Sequence, residues 1–450
     1  MSSEQGLSKI KPDSITNILT LRYDPSIKPN LPKKVWSDLK PSIQKPSIEF
    51  IEKSIQEIIK KQVNVSSVKK ICIALSGGID SALILTLIKK AVPDIHVHAI
   101  SVKFANSVDE TENASRIAAE LGADHHIIHI ENYLRDLPRA ISIIKLPFWD
   151  LHWYHVVKKS QSLSKHLASG DGGDELFGGY TFRYKKFLSL INNNSTPLEK
   201  AKAYLSCHER DHVPDQENLF GKKSRFSWES IYNTLSVYFD NPLSPIEQVF
   251  LADYNGKLLY NFNPINTKIL NHFSVEPISP LLSEDIISHA LRIPFQYKYD
   301  NTKDIGKLSL RKILSKHHID KLIPKEKLGF NVNTLNLWKS FGQSLCQEYL
   351  MDSEITKDGW INKDWISKYI DRTDLDVKYV NKLLGLLAFE IWYRLFITKD
   401  GWINKDWISK YIHKTDLDVR YVNKFLGLLA FEVWYRLFVT KDMSTNTTLN

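Results

Sequence analysis

The chain has 450 residues, enough for about three domains at roughly 150 residues each, and its 43% hydrophobic and 25% charged content is that of a globular protein with more than one buried core. Lys and Arg outnumber Asp and Glu by 60 to 51, a formal charge of +9 that is mild for this length; it suits a phosphate-bearing small substrate as well as RNA, and on charge alone a solubilising surplus comes ahead of both. Cys72, Cys207 and Cys346 are too few and scattered for a disulfide framework or zinc cluster, no run approaches 18 uncharged apolar residues, and the first 30 residues lack a signal-peptide core. The expectation is a cytoplasmic protein with no membrane span and no nucleic-acid partner.

Residues 1–47 read as a Pro-rich arm, with five of the 18 prolines in the first 45 positions. Within it, 18–23 is expected as one short strand. Apolar residues at three- and four-residue spacing predict a helix over 48–62. The pattern then alternates: strands over 70–75, 97–104 and 125–130, helices over 81–90 and 109–121. Strand–helix alternation with short connections implies a parallel sheet with right-handed crossovers. The expected organisation is an α/β domain over 48–190, a helical part over 191–354 broken near Pro277, Pro280 and Pro294, and a C-terminal helical segment over 355–396. Residues 397–438 repeat that segment at 37 of 42 positions, and 439–450 form a tail. Two copies are too few for a solenoid.

Two loops carry the chemistry. LSGGIDS at 75–81 lies where a buried strand ends and a helix begins, the place where open parallel sheets bind ligands. Gly77 and Gly78 admit a phosphate close to the backbone, Ser76 and Ser81 offer hydroxyls, and the helix N-terminus adds partial positive charge. Asp80 would repel a bare phosphate, so it implies a magnesium ion between carboxylate and pyrophosphate. The spacing is not that of a Walker loop. A plain helix-capping turn is the competing reading of this stretch alone. The second loop, SGDGGDELFGGY at 169–180, packs five glycines and three carboxylates into twelve residues. So many flexible positions are costly unless backbone must approach a ligand, and clustered carboxylates repel unless a cation sits among them. Asp171, Asp174 and Glu175 are candidate metal-binding or amine-binding groups, against the alternative of a solvated acidic loop.

Together the loops resemble the synthetase domain of class B asparagine synthetases, within the PP-loop ATP pyrophosphatase superfamily. HAISV at 98–102, GKLSLR at 306–311, KLGF at 327–330 and FEIW at 389–392 follow in the order of that family, so the resemblance covers about 48–396. It implies a doubly wound parallel α/β fold of the HUP-like, adenine nucleotide α-hydrolase type with a mostly helical C-terminal part. It also implies a two-step reaction: the side-chain carboxylate of aspartate attacks the α-phosphorus of ATP, and ammonia then displaces AMP. Ser76, Gly77, Gly78, Asp80 and Ser81 would hold pyrophosphate, with Mg2+ on Asp80 and Asp174. Leu75, Val102, Ser169 and Gly170 would line the nucleotide. Lys307, with Asp171 and Glu175, would serve catalysis; a solvated surface lysine is the alternative reading of Lys307.

Three departures from the family stand out. Ser2 occupies the place of its nucleophilic cysteine, and only about 65 residues precede the first strand of the α/β domain. No glutamine-hydrolysing half is expected here, so nitrogen would come from free ammonia, a separate glutaminase subunit or an amine substrate. In the region that helps form the family's acceptor pocket, Thr267, Lys268, Ile278 and Ser283 replace Asp, Arg, Arg and Asp, which is not conservative for carboxylate recognition. Finally, the second copy of the repeat would expose an apolar face unless it packs somewhere. The alternatives are therefore a related enzyme acting on another carboxylate, a non-catalytic nucleotide-binding homologue, and a tRNA-modifying enzyme, the last lacking a basic stripe or an accessible sulfur-transfer cysteine.

Overall fold

The computed structural model describes residues 11–40, 42, 45–63, 68–105, 107, 109, 111–323, 332–398, 411, 413–415 and 417–436. Met1–Tyr393 group into one compact unit and Arg394–Asn450 into another; the α/β and helical parts expected over 48–190 and 191–354 both fall inside the first.

Helix α1 spans Pro12–Leu21, where 18–23 reads from sequence as a strand. The expectation fails for a physical reason. A short apolar run has no decisive period, Pro12 at the first turn favours a helix start, and the stripe Ile15, Ile18 and Leu19, at three- and four-residue spacing, begins before the segment read as a strand. The arm is bound to the rest of the unit by its backbone: Asn255 Nδ2 donates to Lys34 O at 2.8 Å, and Tyr254 Oη donates to Pro32 O at 3.0 Å. Helix α2, Ile48–Val63, follows its predicted stripe and buries Ile51, Ile55, Ile58 and Ile59.

Next come strand β1 (Lys70–Ala74), helix α3 (Ile79–Ala91), strand β2 (His96–Phe104), helix α4 (Thr111–Glu120) and strand β3 (Asp124–Ile130). Helices α5 (Leu137–Ile144) and α6 (His152–Leu163) lead to strand β4 (His166–Ala168), short helix α7 (Gly173–Phe177) and helix α8 (Thr181–Leu190). Strand β5, Glu276–Ile278, completes a five-stranded parallel sheet in the order β3-β2-β1-β4-β5. β1 is central and buried on both faces through Ile71, Cys72, Ile73 and Ala74, hence its unbroken apolar run. Pro277 is tolerated in β5 because that strand is the sheet edge. The strand order runs outward in opposite directions from β1 and β4, so the crevice beyond their carboxyl ends is the topological switch point. The two loops singled out by sequence leave those two strands.

The three cysteines are buried and free. Among the described residues, no helix is long and apolar enough to cross a membrane.

Candidate active site

β1 passes into α3 through the 75–78 turn, and α3 starts at Gly78 with no side-chain cap, leaving its first amides available to an anion. The turn is held by long contacts: Ser81 Oγ accepts from Ser76 N at 3.2 Å and lies 3.3 Å from Ser76 Oγ. β4 passes into α7 through 169–172. Here the glycines act by size. A Cβ on Gly170 would lie 2.6 Å from the Asp80 Cβ, one on Gly173 would sit inside the Asp80 carboxylate, and one on Gly179 would overlap the Asp174 carboxylate. The glycines of the second loop are thus the mould into which Asp80 of the first loop fits.

A third element completes the centre. The hairpin Tyr299–Asp300 with Ile305–Gly306 delivers Lys307 at the start of helix Leu308–Lys316. Lys307 has φ of 56°, a left-handed conformation that costs a non-glycine residue about 1–2 kcal/mol. Its Nζ lies 2.5 Å from Asp80 Oδ2 and 2.7 Å from Asp174 Oδ1. Burial opposes the lysine's charge, but Asp174 and then Asp80 outweigh it and raise the pKa above the ordinary lysine value. Arg311, one helical turn on from Lys307, lines the same cleft and donates Nε to Gly306 O at 3.0 Å. Burial lowers its pKa and Asp80 opposes that.

The cleft around this centre has a volume of about 410 Å³. Of the residues expected from sequence, Ser76, Gly78, Asp80, Ser81, Ser169, Gly170, Asp171, Asp174, Glu175 and Lys307 all line it. Leu75, Gly77 and Val102 are not among its lining residues: Leu75 N donates to Ile100 O inside the sheet, and Gly77 turns against α4 with φ of 76°. Glu175 is buried and accepts from Tyr180 Oη at 2.6 Å; burial first, then Asp174, push its pKa up to about 7. Asp171 accepts from Asn266 Nδ2 at 3.1 Å, and burial raises its pKa. The segment 327–330 lies outside the described residues.

The substituted acceptor positions do other work. Lys268 Nζ donates to Ile144 O at 2.6 Å, Thr267 Oγ1 bonds back to Asn263 O, Ile278 is buried in β5, and Ser283 caps helix Glu284–Leu291. None lines the cleft. That wall is made instead by Asn261, Phe262, Asn263, Ile265 and Asn266, with Trp153 and His152 nearby. Arg311 was within reach of the sequence, four residues from Lys307; the asparagines carry no signal of their own. Sequence reasoning also missed a support beneath the first loop. Ser101 Oγ donates to Leu75 O at 2.6 Å and meets His125 Nε2 at 2.7 Å, while His125 Nδ1 meets Ser115 Oγ at 2.8 Å.

The donor set fits a divalent cation. Asp80 and Asp174, from different strand ends, supply the hard oxygen ligands that magnesium takes, and Lys307 Nζ stands at the point where the two carboxylates meet.

The fold is a doubly wound parallel α/β sheet with its cleft at the switch point. The asparagine synthase family model matches residues 51–394, and the chain belongs to that family. Asparagine synthetase [glutamine-hydrolyzing] 1 of Bacillus subtilis is 25% identical over 380 residues, covering 76% of this chain and 59% of the relative. The NH3-dependent NAD+ synthetase of Carboxydothermus hydrogenoformans is 33% identical over 73 residues, 16% of this chain and 30% of that protein. Among solved structures, the NH3-dependent NAD synthetase of Campylobacter jejuni matches with TM-score 0.24 and 20% identity, over 38% of this chain and 90% of that one.

Proposed function

We propose that the chain is an ATP-dependent, AMP-forming carbon–nitrogen ligase that activates a carboxylate and transfers it to ammonia. The observation that carries this reading is the convergence of Asp80 and Asp174 on Lys307 at the switch point, inside a glycine mould shaped by both loops. A carboxylate oxygen attacks the α-phosphorus and pyrophosphate leaves. The nitrogen of ammonia then attacks the acyl carbon and AMP leaves. The chain's own contribution is placement and charge neutralisation. The α3 amides with Ser76 and Ser81 receive phosphate oxygens, and Lys307 and Arg311 face the charge that grows on departing pyrophosphate. Asp80 and Asp174 would hold Mg2+, which when bound screens the triphosphate. Glu175, with its raised pKa, is placed to hold a proton near neutrality. Ammonia would arrive free or from a separate glutaminase subunit.

Aspartate is the family's acceptor and the first candidate. A second reading, another carboxylic acid, rests on one observation: Thr267, Lys268, Ile278 and Ser283 do not line the cleft, and neutral asparagines do. Pyrophosphate release with ATP, Mg2+ and ammonia, screened over aspartate and other carboxylic acids, tests both. Aspartate-dependent release supports the first reading and release with another acid the second. ATP binding without release for any acid would leave a non-catalytic nucleotide-binding homologue.

A further inference from the structure

The opposite end of the sheet carries a cluster that the cleft does not use. Alternation along a strand puts His96 and His98 on one face of β2, and pairing of His98 with Asp124 and of Ile100 with His126 brings Asp124 and His126 to that same face of β3. The side chains meet. His96 Nε2 is 2.9 Å from Asp124 Oδ2, His98 Nδ1 is 3.8 Å from the same oxygen, and His98 Nδ1 is 3.1 Å from His126 Nε2. One ligand atom from each of His96, His98 and Asp124 falls within 4.8 Å of the other two. Metal bonds of 2.0–2.1 Å at tetrahedral angles place ligand atoms about 3.3 Å apart, and the separations here bracket that value.

We propose that His96, His98 and Asp124 form a surface site for a zinc-class transition metal that ties edge strand β3 to β2. The donors select the metal class: imidazole nitrogens with one carboxylate suit Zn2+, whereas Mg2+ prefers oxygen. His96 and Asp124 are more than half exposed, so ions reach the site from solvent without opening the fold. The site is at the amino ends of β2 and β3, away from the switch point at the carboxyl ends of β1 and β4, and it is separate from the proposed magnesium ligands.

The test uses the full chain, tag-free and stripped of metal, titrated with Zn2+ alone by calorimetry and with Co2+ by visible spectroscopy. The expected result is one equivalent of Zn2+ per chain, Co2+ bands of a four-coordinate site, and a Tm raised by Zn2+ but not by Mg2+. His96→Ala and Asp124→Asn, both at exposed positions that the fold tolerates, should each weaken Zn2+ binding by at least about tenfold. His129→Ala, on the other face of β3, should leave it unchanged. Absence of Zn2+ binding, or binding that neither His96→Ala nor Asp124→Asn weakens, overturns the proposal.

Discussion

The two copies of the C-terminal sequence agree at 37 of 42 positions and differ completely in burial. In helix Val377–Tyr393 of the first copy, Val380, Leu384 and Leu387 are at most 1% exposed; in helix Val419–Tyr435 of the second, their counterparts Val422, Leu426 and Leu429 are 42%, 59% and 51% exposed. The first helix packs against α1, α5 and helix Gln343–Leu350. It also ties itself down with polar groups: Glu390 accepts from Glu354 N at 3.0 Å and Ile355 N at 3.1 Å, and Trp392 Nε1 donates to Lys145 O at 3.0 Å. An amphipathic pattern therefore specifies a buried helix only where the rest of the chain supplies a seat. Phe425 replaces Leu383, a residue with 0% exposure in the first copy, so the second copy carries a larger side chain than that seat holds.

The contrast is open to direct test. Leu384→Ala should lower the unfolding free energy by about 2–5 kcal/mol in urea titrations, while Leu426→Ala should change it by no more than about 0.5 kcal/mol; equal losses would break the contrast. A second contrast is a pH dependence. Burial is the main cause that pushes the Lys382 amine down to about 7, with Asp211 opposing it. In the unfolded chain a lysine titrates near about 10.4, so between these values the unfolded state binds more protons and stability rises with pH. Lys382→Met should flatten that alkaline rise in Tm. Least of all, deletion of 397–438 should leave both Tm and ATP turnover unchanged, because among the described residues none beyond Ile323 lines the cleft; abolished turnover in a still-folded protein would give the second copy a role.

Much of the fold was legible because long elements carry a period. α2 shows its stripe, and β1 shows the unbroken apolar run of a strand covered on both faces. β4 and β5, three residues each, are too short for any period, and Pro277 reads as a breaker until the edge position of its strand is known. α1 escaped because its stripe of Ile15, Ile18 and Leu19 starts ahead of the 18–23 run that reads as a strand. In the site, the two loops were legible from composition: glycines and carboxylates together have few other uses. What sequence cannot display is the fit between them. That Gly170 and Gly173 of one loop are shaped to Asp80 of the other, and that the hairpin Tyr299–Asp300/Ile305–Gly306 aims Lys307 at both carboxylates, emerges only when the strand order brings distant segments together.

A double-mutant cycle on Mg2+-dependent ATP binding reaches the heart of the account. If the ends of β1 and β4 build one site, Asp80→Asn and Asp174→Asn should each weaken binding at least about tenfold, and the double variant should be little worse than either single one. Losses that simply multiply, or full affinity after either substitution, would show that the two carboxylates do not serve a single metal-bound triphosphate.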